Sequence, residues 1–520
     1  MKHANIKYDK YNNKSLIIAV LSSLIVFVLG ICEYGLVKKV ISFKIVYFII
    51  LITISINIFL GVREILKKDY KIEKIFIICA IPLGVIYTLL IPPGIVPDEW
   101  VHMQNTFSLS SQLTSHRMDD KVCMRNSEID LYMQQLKVPN IDYYNYVYNN
   151  IFSFSNDNTY STLDIKAPDL NQIFGYFPSI IGVIFARVLN FGSITTFYIG
   201  RISNFIFYLV LSYNAIKKIP FGKVLLFSIM MLPMACHQMC SLSYDVIINA
   251  SSFLAIAYGM SFVYQSNKVR INDIVAYTLC SILLLANKGS AYAFILVIPI
   301  LAKYFNPNGE KMARKTKIII FLIVVIGIII LNYRFLTNNS QVSGIQSVSG
   351  EGIVPWSGTP SYTLNFLLTN VLNTLNLFIN TFIQKGWWYI CTAIGSELGW
   401  LSIIMPNWII DIWLGILLIS ALAEKSNNEV FTYEHKLLYF FISLGTILLV
   451  MFAMALAWTP QGYNVIEGVQ GRYYIPIIFL LLICLQNSKI YLKENMIKII
   501  LVIIQIMSIF SIYCLIPLVL

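Results

Sequence analysis

Ionisable side chains are scarce in this chain. Asp, Glu, Lys and Arg make up 12% of its 520 residues, against 57% hydrophobic ones. Soluble domains carry about 25% charged residues, so this deficit excludes a water-soluble globule. No disulfide framework is implied either, because of where the nine cysteines, an odd number, fall. Most of them, such as Cys32, Cys79, Cys280, Cys484 and Cys514, fall in apolar stretches, where cysteine serves as a small buried hydrophobe. Cys123 alone clearly lies in a polar loop. There is no Walker loop, no dinucleotide glycine pattern after a strand, no Gly-x-Ser-x-Gly and no Cys–His nucleophile pair. ATP-driven transport, nucleotide-sugar chemistry on a soluble domain and serine hydrolysis therefore lack support. No internal repeat is evident, which weakens a transporter reading. No sizeable soluble domain is expected at either end.

What the chain does have is apolar runs, with a mean hydropathy of +0.71. A spanning helix needs about 20 mostly apolar residues, and the runs predict an all-α polytopic transmembrane protein with roughly 12–14 membrane segments. Three runs lie at 15–35, 43–62 and 75–92, and seven more at 173–191, 195–214, 221–238, 246–264, 273–287, 290–304 and 317–333. The last four lie at 401–420, 436–457, 473–486 and 496–518. The chain thus divides into N-terminal spans (1–92), a first extracytoplasmic loop (93–172), a transmembrane core (173–333), a second extracytoplasmic segment (334–400) and C-terminal spans (401–520).

The net charge of +12 does not indicate nucleic acid, since the basic residues sit in short turns between spans and no nucleic-acid motif accompanies them. Such turns stay in the cytoplasm. Lys2, Lys7, Lys10 and Lys14 precede an apolar run too long for a cleaved signal, which reads as an uncleaved first span with a cytoplasmic N-terminus in the plasma membrane. Arg63, Lys67, Lys68, Lys71 and Lys74 put the far end of the third span outside, against a minority vote from Lys38, Lys39 and Lys44. Counting forward from that turn places Lys217, Lys218 and Lys223 outside, whereas counting back from Lys303, Lys311, Arg314, Lys315 and Lys317 places them inside. One segment between 173 and 304 must therefore be re-entrant, interfacial or double-short.

Two carboxylates and an imidazole, Asp98, Glu99 and His102, follow the third span in Pro97-Asp98-Glu99-Trp100-Val101-His102. Ionisable groups beside a bilayer mark function by default, although a hydrated loop start would look the same. On a helix the three would share one face. The Tyr-rich stretch Asp142-Tyr143-Tyr144-Asn145-Tyr146 suits either sugar stacking or an interfacial belt. The Gly/Ser/Pro-rich part from Ser340 to Tyr362 reads as flexible, and Gly386-Trp387-Trp388-Tyr389 as an interfacial anchor. Cys236, His237 and Cys240 have helical spacing that a metal could use, but no fourth ligand is nearby.

The Pro-Asp-Glu-x-x-His stretch resembles the signature of a large bacterial membrane family known only as a domain of unknown function. Further blocks resemble it in order: Gly200-Arg201, Lys217-Lys218-Ile219-Pro220, Pro233-Met234 and Ser241-Leu242-Ser243-Tyr244-Asp245. They continue with Gly395-Ser396-Glu397-Leu398-Gly399-Trp400, Met405-Pro406 and Ile466-Glu467-Gly468-Val469-Gln470-Gly471-Arg472-Tyr473-Tyr474-Ile475-Pro476. That family is similar in layout to the GT-C glycosyltransferases, which use polyprenyl-phosphate-linked sugars and an acidic base in the first outward loop. Two spans precede the loop-bearing one here, where GT-C enzymes typically have one.

The resemblance implies a glycosyltransferase working outside the membrane on a cell-envelope glycan. A carboxylate takes the acceptor proton, the part expected of Asp98 and Glu99. The departing lipid phosphate needs a cation, and Arg472, flanked by Gln470 and Tyr473, is the leading candidate. Arg472 could instead simply snorkel at the interface. Lys288, His102, Asp245 and Arg201 complete the candidate binding set, though Arg201 could pair structurally with Asp245. Some GT-C enzymes need a divalent cation and others do not, so a metal stays open. Two rival readings are a lipid-linked glycan flippase or transporter, with Asp98, Asp245 and Arg472 lining a pathway, and a polysaccharide polymerase or ligase. The charges sit at span ends rather than mid-membrane, which favours surface chemistry.

Overall fold

The computed structural model describes residues 13–34, 44–116, 120–155, 158–265, 270–287, 291–301, 353–426 and 431–519. It is an all-α polytopic membrane protein. Among the described residues, seven helices are long and apolar enough to cross a bilayer: Ser15–Cys32, Val46–Ile65, Ile72–Leu90, Ser193–Lys218, Asp245–Tyr264, Tyr433–Ala457 and Glu494–Val519. Three shorter apolar helices, Ile271–Ala286, Asn407–Ala421 and Gly471–Ile483, accompany them. The run expected at 221–238 breaks into two helices ahead of Pro233, which lacks the N–H needed to continue the first. The run at 290–304 contains a 3-10 helix, Ala293–Leu301, and that at 317–333 lies outside the described residues.

Contacts fix which ends of the spans lie together. Helices α1 (Asn13–Tyr34) and α2 (Lys44–Ile65) run antiparallel, with Ser23 donating to the Ser55 carbonyl and Tyr47 to that of Gly30. The basic turn before α3 (Ile72–Leu90) meets the start of the last helix, where Lys498 donates to the Lys67 carbonyl at 3.1 Å. Burial, Glu494 and Glu424 together raise the Tyr70 phenol in that turn. The Glu424 carboxylate also accepts from the backbone N–H groups of Gly222 and Lys223 at 2.7 and 2.8 Å. The lysines at 217, 218 and 223 therefore lie at the same end as the 63–74 turn.

The conflicting counts are reconciled by helix α7 (Ile173–Val188), which never reaches that end. It starts beside Tyr244 and His102 and finishes at Glu128 and Ser111 in the first loop. Helix α8 (Ser193–Lys218) then makes the full return.

Residues 93–172 form a folded unit rather than an open loop. It holds α4 (Glu99–Leu113), the antiparallel pair β1 (Lys121–Arg125) and β2 (Tyr160–Lys166), α5 (Asn126–Met133) and α6 (Ile141–Asn150). A buried ion pair fastens it to α7: Arg187 donates to both oxygens of Glu128, at 3.0 and 2.6 Å. Three of the four tyrosines of α6 turn inward, and Tyr146 stays exposed, stacked on Tyr143. Tyr143 donates to the Pro93 carbonyl at 2.9 Å, Tyr144 to that of Leu90, and Tyr148 to that of Leu89 at 2.7 Å. Helix ends leave such carbonyls unsatisfied, and three phenols close this one. Burial above all holds the Tyr143 hydroxyl well above its ordinary titration range, so it remains a donor.

In the segment expected to be the second extracytoplasmic one, the described part of the flexible expectation is ordered. Ile353 pairs with Pro360, Ser361 with Pro460, and Tyr362 donates to the Tyr463 carbonyl. The 24-residue helix Val371–Ile394 follows, in a segment for which no helix was expected, and a short antiparallel pair joins Glu397–Leu398 to Ile403–Ile404.

Candidate functional site

The peptide between α3 and α4 is held from below by one buried ion pair. Glu99 Oε1 accepts from Arg201 Nε at 2.8 Å and from the Leu242 N–H at 3.1 Å, and Oε2 accepts from Arg201 Nη2 and from the Gly94 N–H at 2.9 Å. Arg201 adds bonds to the carbonyls of Ile91 and Pro92. Both side chains are sealed from solvent. Gly94 has φ +83° and lies so close to the Trp100 ring that a Cβ would stand 2.0 Å from it, so only glycine fits.

This overturns two expectations. The Glu99 carboxylate already has four donors, so it anchors the loop and has no free lone pair aimed outward as a second base would need. Arg201 pairs with Glu99 rather than Asp245, and its guanidinium is occupied, leaving nothing for a phosphate.

Asp98 turns the other way. It precedes α4 with left-handed backbone angles, φ 60° and ψ 10°, a conformation that Asp tolerates better than most residues. That geometry separates it from Glu99, so the shared helical face of Asp98, Glu99 and His102 does not form. The Asp98 side chain is 48% exposed and accepts from Arg472 Nη2 at 2.8 Å. Arg472 is 3% exposed, with Nε 3.8 Å from an oxygen of Asp245. Its Nη2 also donates to the Tyr473 hydroxyl at 3.3 Å. Nε and Nη1 are buried without a hydrogen bond.

An aromatic wall closes the cluster. His102 Nδ1 pairs with the Tyr176 hydroxyl at 2.8 Å, and its ring stands edge-on to Tyr244 at 4.9 Å. Burial first, then Asp245 and Tyr176, keep the Tyr244 phenol well above its ordinary range. Tyr292 donates to the Tyr473 carbonyl at 2.8 Å, and Gln470 is half-buried just before the short helix that carries Arg472. Lys288 lies outside the described residues.

Residues that sequence reasoning placed outside the candidate site also meet this loop and its neighbours. Trp400 donates to the Gly94 carbonyl at 2.9 Å, and the Gly399 N–H donates to His237 Nε2 at 3.4 Å. Gly395, at φ +130°, lies against Pro233 and Met234, where a Cβ would come within 2.9 Å of both. Trp388 donates to Glu397 at 2.7 Å. The glycines and the tryptophan of the Gly-Ser-Glu-Leu-Gly-Trp block were the available signal, but nothing in sequence said which loop they meet.

A metal finds no such convergence. Among the described residues no three His, Cys, Asp or Glu side chains are gathered to hold one. Cys236 and Cys240 point to the carbonyls of Met230 and Gly84 instead of sharing a ligand sphere with His237.

Fold and site together define a polytopic helical membrane protein with a buried cation beneath a half-exposed acid at one end of its spans. The chain belongs to the family described as "Predicted membrane protein (DUF2142)", whose sequence model matches residues 82–481. Every described residue of the cluster falls inside that match. No curated protein and no solved structure matches the chain.

Proposed function

We propose that this protein is a membrane glycosyltransferase of GT-C type, moving a sugar from a polyprenyl-phosphate donor to an envelope glycan outside the cytoplasmic membrane. One observation carries the reading: Arg472 is buried with Nε and Nη1 unbonded, directly beneath the half-exposed Asp98 carboxylate. Buried donors normally have partners, and a guanidinium with open edges suits a phosphate oxygen. Asp98 would take the proton of the acceptor hydroxyl as it attacks the anomeric carbon, and the bond to the lipid phosphate breaks with Arg472 holding the charge that gathers there. Tyr473 would position the guanidinium through its hydroxyl. Glu99 and Arg201 hold the loop that presents Asp98.

The test uses purified protein with labelled polyprenyl-phosphate sugars and a crude envelope acceptor, assayed for free polyprenyl phosphate. Release that is lost in Asp98→Asn supports the transferase. No release with any sugar, together with movement of intact lipid-linked glycan between leaflets, would establish the carrier reading instead.

A further inference from the structure

The Val371–Ile394 helix has three faces. One packs on the segment that carries the site: Thr381 Oγ1 accepts from the Ile466 N–H at 2.9 Å, Lys385 pairs with Glu467 at 2.6 Å, and Thr392 Oγ1 accepts from the Gly471 N–H at 3.1 Å. A second face carries Leu372, Leu375, Ile379, Phe382, Ile383 and Ile390, of which Leu372 and Ile383 are 78% and 76% exposed. The third is a row of amides, Asn373, Asn376, Asn380 and Gln384. Trp387, 62% exposed, stands where the apolar and amide rows meet. The helix has one ionisable amine, Lys385, and that one is paired inward.

We infer that this helix lies in the membrane interface, its apolar face in the outer acyl chains and its amide row in the headgroup water. Bulk water would oppose an apolar stripe running along most of a helix about 36 Å long. A bilayer-crossing orientation would put three exposed amides, Asn373, Asn376 and Gln384, and the half-buried Asn380 against hydrocarbon. A helix with one apolar flank, one uncharged polar flank and a Trp at their border is what an interface accepts. The occupant of the apolar face is bilayer lipid, because exposed apolar residues continue onto the adjacent apolar helix Asn407–Ala421 at Trp408 and Ile412. Since Thr392 holds Gly471, the helix sets Arg472 at the depth of lipid phosphates. This inference stands independently of the transferase reading.

The test uses the full-length protein in liposomes of phosphatidylethanolamine and phosphatidylglycerol. Single nitroxide labels at Leu375, Ile379 and Ile383 should relax with oxygen and be shielded from a water-soluble nickel complex. Labels at Asn376, Asn380 and Gln384 should do the reverse. In the protein with its native cysteines, lipids brominated near the headgroup should quench the fluorescence that Trp387→Phe removes more strongly than lipids brominated near the chain ends. Nickel access to both rows, or quenching by neither lipid, would mean the helix is out of the bilayer. Oxygen access without nickel access at both rows would mean it crosses the bilayer. Either result overturns the inference.

Discussion

Asp98 and Glu99 are adjacent acids, and the structure predicts that neutralising them has opposite consequences. In Glu99→Gln one carboxylate oxygen becomes an amide NH2. Each oxygen faces one Arg201 nitrogen and one backbone N–H, so whichever way the amide turns, two donors meet a donor. The sealed Arg201 guanidinium also loses its counter-charge. Breaking a buried pair from one side costs about 3–5 kcal/mol, a large share of the stability of a typical domain. Asp98→Asn should change stability by no more than about 1 kcal/mol, as expected for a half-exposed partner. The assay is the thermal midpoint and monodispersity of each purified variant in one detergent, followed by tryptophan fluorescence. Glu99→Leu combined with Arg201→Met should recover much of the loss, because an apolar pair often replaces a buried ion pair at little cost. A Glu99→Gln protein as stable as the wild type, or an Asp98→Asn protein as damaged as Glu99→Gln, would refute the division between anchor and acid.

Asp98→Asn should lower sugar transfer by about two to four orders of magnitude, the scale of a lost general base; near-normal turnover of the purified variant would remove that role. Arg472→Lys keeps the charge but loses the planar edge, so donor affinity should fall by about 1–3 kcal/mol in a lipid-phosphate titration. Tyr148→Phe, leaving the Leu89 carbonyl uncapped, should cost about 1–3 kcal/mol and speed hydrogen exchange at the end of α3. In intact cells, single cysteines at Lys68 and Lys489 should resist an impermeant thiol reagent while those at Gln134 and Gln461 react; the reverse pattern would invert the proposed orientation.

The long spans were legible because hydrocarbon demands length and apolarity, and both are local properties of sequence. The meeting of Asp98 and Arg472 was legible through residue chemistry, since an acid at one span end and a cation at another suit the two halves of one site, although each alone also had a bland use. Glu99 was misread for a physical reason. A left-handed residue at 98 rotates the next side chain to the opposite side, and nothing in Pro-Asp-Glu-Trp announces that turn. The inward turn of Tyr143, Tyr144 and Tyr148 was hidden because the partners of their phenols are backbone carbonyls, which every residue has and no motif marks. The identity of the non-crossing segment, 173–191, was hidden because its apolar residues are the same kind that lipid would select. What marks it is Arg187 and its bonds to a loop far away in sequence.

The tyrosine clasp has a consequence for biogenesis. The carbonyls that end α3 are spoken for by phenols 54 and 59 residues further on. Until those residues have left the ribosome, the helix end must be kept company by water, headgroups or the insertion machinery. Glu99 then waits a further stretch for Arg201, 102 residues beyond it, and Asp98 waits 374 residues for Arg472. Closure therefore follows the order of synthesis, from clasp to anchor to the Asp98–Arg472 pair. A nascent chain can complete its 93–172 unit while still lacking Arg472, so that the Asp98–Arg472 pair closes only when nearly the whole protein has been inserted.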